Sequence, residues 1–371
     1  LEAWMVLESA GASTGETLGE VLNAATEPMK ELWVVILGFA QILGSFFANF
    51  TAAWPDWVAS FGAFFGIFDL HFVSFDFANI DVRGYVDYCN QTLALNLSYC
   101  CFLAAIPICM VTFRRVSAKR RAALLDKGIY LSVLCSFILY PILSMKLLKL
   151  FAARYFGTYR VLVADWRLET KDILYCQAGG AGFLLLFTLG IPISFFFALW
   201  YAARPASVEV DITKADAGAR HEFEDRMSAR FGILYHKYEP QCWWWELVEL
   251  SRKLVLTGAI LFIKPGYVTQ IWFAIMLAIL FLLVMTFFIP FRDPRIDFIS
   301  FTSQLCTVLT LVVSLGLDEN AHPNVWTEGI ISTDLLGALL LVFSIVPLVL
   351  GLGLLAWAGW DAFQMLRLRK P

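Results

Sequence analysis

The residues best suited to chemistry stand together between Cys242 and Gly258. Trp243, Trp244 and Trp245 open this stretch, and Glu246, Glu249, Arg252 and Lys253 follow in an otherwise apolar run. At helical spacing Glu246, Glu249 and Lys253 share one face, with Arg252 beside them, so two acids can neutralise two bases within about two turns. An aromatic triplet of this kind marks a membrane interface, so the charges that follow it enter the bilayer. There an unpaired charge costs roughly 2.5 to 3.5 kcal/mol on insertion scales, which makes such groups face protein or a water-filled cavity. The chemistry available is therefore the handling of charge. Gln270 and Gln304, on the next two apolar stretches, extend the set into a candidate transport path. The competing reading is a neutralised ion-pair cluster that fixes helix register.

Bond-making chemistry has little to work with. No Ser/His/Asp arrangement, no H-E-x-x-H and no His-rich metal spacing occurs, and His71, His221 and His236 fall in polar segments, so no enzyme, metal or cofactor is expected. The eight cysteines contain no C-x-x-C pair and lie mostly in or beside apolar runs, where burial as small apolar residues accounts for them.

The elements that must hold these residues are membrane helices. A composition 59% hydrophobic and only 16% charged, with a mean hydropathy of +0.69, excludes an ordinary soluble domain. A net charge of -3 without a basic run interleaved with aromatics leaves nucleic acid aside as a partner. The expected fold is an all-α polytopic bundle in contact with membrane lipids. Its spans are placed at about 30–50, 93–113, 129–150, 173–201, 242–263, 267–289, 298–317 and 334–360. Residues 1–29 precede the bundle as a cytosolic segment, in which Leu18 to Pro28 can form a short amphipathic helix. The chain opens at Leu1 with no methionine and no basic, apolar signal sequence, and a longer protein upstream is the expectation. Between the first two spans, Phe61 to Phe77 mixes aromatics with a few acids and reads as an interfacial shelf.

Orientation follows from two independent features. Three N-x-S/T sequons, at Asn49, Asn90 and Asn96, border the loop between the first two spans, and Asn90 and Asn96 are the glycosylation candidates. Arg114, Arg115, Lys119, Arg120, Arg121 and Lys127 crowd the next loop and mark it as cytosolic. Eight spans then leave both termini and the polar loop 202–241 in the cytosol, in the plasma membrane or an endomembrane.

Gln41, Trp54-Pro55, Leu162-x-x-Asp165, Gly190-Ile191-Pro192, Tyr235, Trp243-Trp244-Trp245-Glu246-x-x-Glu249-x-x-Arg252-Lys253-Leu254, Pro265-Gly266-x-x-x-Gln270 and Pro290-Phe291 occur in that order. The series resembles the carboxy-terminal membrane domain of protist proteins described as transient-receptor-potential-like (TRP-like), and more distantly the fungal flavin-carrier TRP-like family. The resemblance implies a cation channel or an ion or lipid transport domain; a homo-oligomer or a larger membrane complex is the expected assembly. It also implies an external cysteine pair around Leu162 and Asp165, where this chain carries Arg154 and Glu169. By position, the acidic segment Asp318 to Asp334 is the candidate pore loop, yet it has no glycine-rich filter. That absence keeps a second class open, a non-conducting membrane anchor or assembly subunit.

Overall fold

The computed structural model describes residues 18–50, 55–65, 88–112, 118–165, 168–203, 226–263, 268–317 and 332–368. These are almost wholly helical, because a chain in lipid has no water for its backbone polar groups and a helix satisfies them within one segment. The long helices are α1 (Leu18–Asn49), α3 (Tyr88–Thr112), α4 (Ala118–Lys149), α5 (Leu174–Phe183), α6 (Gly190–Ala203), α9 (Val268–Phe288), α10 (Pro294–Leu317) and α11 (Thr333–Leu368). α5 and α6 form one rod joined by a π-helical segment, Leu184–Leu189. Shorter helices are α2 (Asp56–Phe65), α7 (226–235) and α8 (Trp245–Thr257).

Among the described residues, six stretches are long and apolar enough to cross a membrane: α1, α4, the α5–α6 rod, α9, α10 and α11. The other two expected spans differ from these. α3 is 25 residues long, but Asn90, Gln91, Thr92, Asn96 and Ser98 occupy its first half. The stretch 242–263 is not one helix. It comprises a 3-10 turn at Pro240–Cys242, the 13-residue α8, and a second 3-10 turn at Ala259–Phe262. Thirteen residues at 1.5 Å each reach about 20 Å, short of a hydrocarbon core of about 30 Å.

α8 is instead the axis about which the bundle packs. Its Leu256 belongs to the core shared by α1, α9, α10 and α11, whereas its Leu250 belongs to the core of α3, α4 and the α5–α6 rod. Trp245 is buried in a third cluster with Leu32, Tyr238, Met285 and Phe291. The helices of the bundle define two ends. One end carries the elbow 289–293; the other carries a β-hairpin, β1 (Ala153–Phe156) with β2 (Tyr159–Leu162), between the expected spans 129–150 and 173–201. Its turn places Gly157 at φ +64, a conformation that a side chain disfavours.

Several expectations are corrected near the hairpin end. Cys89 and Cys176 form a disulfide, with Cα atoms 6.1 Å apart, rather than packing as separate thiols. It joins the starts of α3 and α5, and neither cysteine neighbours Leu162 or Asp165 in the chain. Asn96, expected to carry a glycan, lies inside α3 at 0% exposure and donates to the Thr92 carbonyl at 2.8 Å, which leaves no room for a sugar. Asn49 is likewise buried, its amide 2.6 Å from the Thr257 carbonyl at the end of α8, where it satisfies one of that helix's terminal acceptors. The described part of the expected interfacial shelf, 61–65, belongs to helix α2, which buries Val58, Gly62 and Phe65. Gly62 permits this contact, since a Cβ there would sit 2.6 Å from Phe47 Cγ. The rest of the expected shelf, 66–77, lies outside the described residues, as do the six-base loop's Arg114 and Arg115 and the acidic loop 318–331. The amphipathic helix expected before the first span is continuous with it, because α1 begins at Leu18.

Candidate functional site

The candidate site is built where α8 leaves the elbow end. Residues 237–239 are clamped to the elbow: Glu239 N donates to the Pro290 carbonyl at 2.8 Å, Arg292 N to the Lys237 carbonyl at 3.0 Å, and Arg292 Nε to the Tyr238 carbonyl at 2.8 Å. This clamp aims two side chains at the first turn of α8. Lys237 Nζ lies 2.7 Å from Glu246 Oε2, and the Tyr238 hydroxyl donates to the same oxygen at 2.9 Å. One turn on, Arg252 grips Glu249 Oε2 through Nη2 at 2.6 Å and Nε at 3.1 Å. Lys237, Glu246, Glu249 and Arg252 are all buried. Charge-assisted bonds of this length offset part of the cost of removing the ions from water.

Pairing in the site departs from the sequence expectation in two respects. Glu246 takes its counter-charge from Lys237, outside the helix, and Lys253 is left over. Among the described residues no carboxylate lies within ion-pair distance of Lys253. Its ammonium stands over the Phe137 ring, 4.6 Å from the centroid, at only 4% residue exposure. A ring face attracts a desolvated cation but does not neutralise it. Glu246 Oε1 and Glu249 Oε1 accept no hydrogen bond among the described residues. These groups, together with Gly38, Ser300 and Phe291, line a cavity of about 20 Å³. That volume is room for about one water.

The two glutamines divide. Gln304 lies one turn beyond Ser300 on α10 and donates to Met285 Sδ at 3.0 Å, so it borders the cluster. Gln270 is buried at the opposite end of α9, 15 residues before Met285, or about 22 Å at the helical rise. It therefore does not join Glu246 and Glu249 at one site. The short interval in sequence between Ile263 and Val268 carries the signal for this: a residue just after it must lie beside the end of α8, not its beginning.

A family model described as Transient receptor potential (TRP) ion channel matches residues 33–357, most of the chain and every helix that builds the site. The chain belongs to the TRP ion channel family. Cysteine repeat modular protein A of Toxoplasma gondii is 24% identical over 230 residues, 56% of this chain and 7% of that protein. The chain thus spans a small fraction of that relative's length. No solved structure matches the chain. The TRP-like protist membrane domain read from the order of motifs is the family found, and the protein is a multi-pass, channel-like membrane protein.

Proposed function

We propose that this chain is the ion-translocating membrane domain of a TRP-like protein, that it conducts small cations, and that it catalyses no reaction. The observation that carries this reading is the convergence of five buried charged side chains, Lys237, Glu246, Glu249, Arg252 and Lys253, on one cavity. A bundle that only had to stand in the membrane could fill these positions with apolar residues of similar volume at equal or lower cost. Intramembrane charge of this density belongs to ion or proton pathways and to sensors.

The experiment is reconstitution of the purified chain into liposomes, with potassium, sodium and calcium flux and lipid scrambling measured side by side. Cation flux without scrambling supports the proposal, and scrambling alone turns it into lipid transport. A second reading, the non-conducting anchor or assembly subunit, is favoured by the two closed pairs Lys237–Glu246 and Arg252–Glu249, which lock helix register with no need of a permeant ion. Silence in every flux assay from a folded protein supports that reading.

A further inference from the structure

Two cavities lie in sequence along the same three helices. The charged one touches Gly38 on α1, Lys253 on α8 and Ser300 on α10; the second, also about 20 Å³, touches Phe39 on α1, Leu256 on α8, and Thr307 and Thr310 on α10. From Ser300 to Thr310 is about 15 Å of helix, half a hydrocarbon core. The second cavity is apolar apart from these threonine hydroxyls, and Thr310 Oγ1 has no hydrogen-bond partner among the described residues. Lys253 stands at the junction. It is one turn from Leu256, and its ammonium lies against Gly38, where a methyl group would come within 2.9 Å of Nζ and 3.0 Å of Cε. The absent side chain at Gly38 is what lets the lysine lie across the seam.

We propose that Lys253 is a tethered cation that closes a permeation seam between α1, α8 and α10, its ammonium taking the place of a permeant monovalent cation in the cavity lined by Glu246 and Glu249. This rests on the reading that the chain conducts cations. The charges support it: Lys237 and Arg252 each neutralise one carboxylate, so Lys253 leaves the cavity one positive charge in excess, which repels a second cation. The two carboxylate oxygens without partners, Glu246 Oε1 and Glu249 Oε1, and the Ser300 hydroxyl are hard oxygen ligands of the kind that replace an ion's hydration shell. A monovalent ion matches the single charge it displaces. Withdrawal of the lysine would open both the ligand set and the way to Thr307 and Thr310.

The test uses Lys253→Met, which keeps the stem and removes the charge, and Gly38→Ala, which keeps every charge and displaces the ammonium. Vesicles loaded with potassium chloride are followed for potassium efflux, and each protein is melted in potassium chloride and in N-methylglucamine chloride. Both variants should release potassium about tenfold faster than wild type or more, as expected when the like charge beside the ion is removed, in Lys253→Met, or pushed away from it, in Gly38→Ala. Lys253→Met should also melt at a higher temperature in potassium than in N-methylglucamine, with wild type indifferent. Stabilisation by potassium without efflux in any protein keeps the site and removes the conduction reading. Efflux from wild type that neither variant changes, with no potassium stabilisation, keeps conduction and overturns the tethered cation. Silence of both variants in both assays overturns it as well. Should Lys253→Met fail to fold, Gly38→Ala decides through its efflux alone.

Discussion

At the scale of single residues, the decisive fact is which oxygen each base grips. Glu249→Gln leaves Arg252 buried without its counter-charge, and breaking a buried pair in this way costs about 3 to 5 kcal/mol. Thermal melting in detergent should show a drop of that size, whereas Lys171→Ala, which loses the exposed Glu169 pair at the hairpin end, should move the melt little. Exchanging the charges as Glu249→Arg with Arg252→Glu should recover more stability than Glu249→Lys with Lys253→Glu, because Glu249 meets Arg252 and not Lys253. Equal recovery by the two exchanges would remove the pairing described here. The sequence allowed the shared face of Glu246, Glu249 and Lys253 to be read from helical period alone. It did not reveal Lys237 as the partner of Glu246, because that contact depends on the elbow clamping a segment outside the helix.

At the scale of elements, hydropathy and length made most of the bundle legible, and polarity hid the rest. α8 escapes a hydropathy reading since its charges are tolerated only where neighbouring helices cover them, and its end at Thr257 is fixed by the glycine that follows and by the Asn49 amide on α1. The packing of α2 on α1 was equally hidden, for it depends on one missing side chain. Gly62→Val would drive a branched side chain into Phe47 and should lower the melting temperature, while Gly182→Ala, where a Cβ meets nothing within 4 Å, should leave it unchanged or slightly raised. A melt unaffected by Gly62→Val would mean that α2 does not rest on α1.

At the scale of the whole molecule, the disulfide and the basic run predict that the two ends face different compartments. Disulfides persist in oxidising surroundings, so the hairpin end, with Cys89 and Cys176, is expected to face the lumen or exterior and the elbow end the cytosol. Glycosidase should then shift the protein through Asn90, a shift abolished by Asn90→Gln and untouched by Asn96→Gln. Protease added to sealed cells should spare Lys119 to Arg121, and cleavage there would invert the orientation. The same disulfide makes a covalent ring of everything from Cys89 to Cys176, which contains α3, α4 and the hairpin. A single nick anywhere inside that ring therefore releases nothing: both products stay one molecule in a non-reducing gel, part only after thiol is added, and whatever is attached ahead of α3 remains fastened to the bundle after the chain itself has been cut.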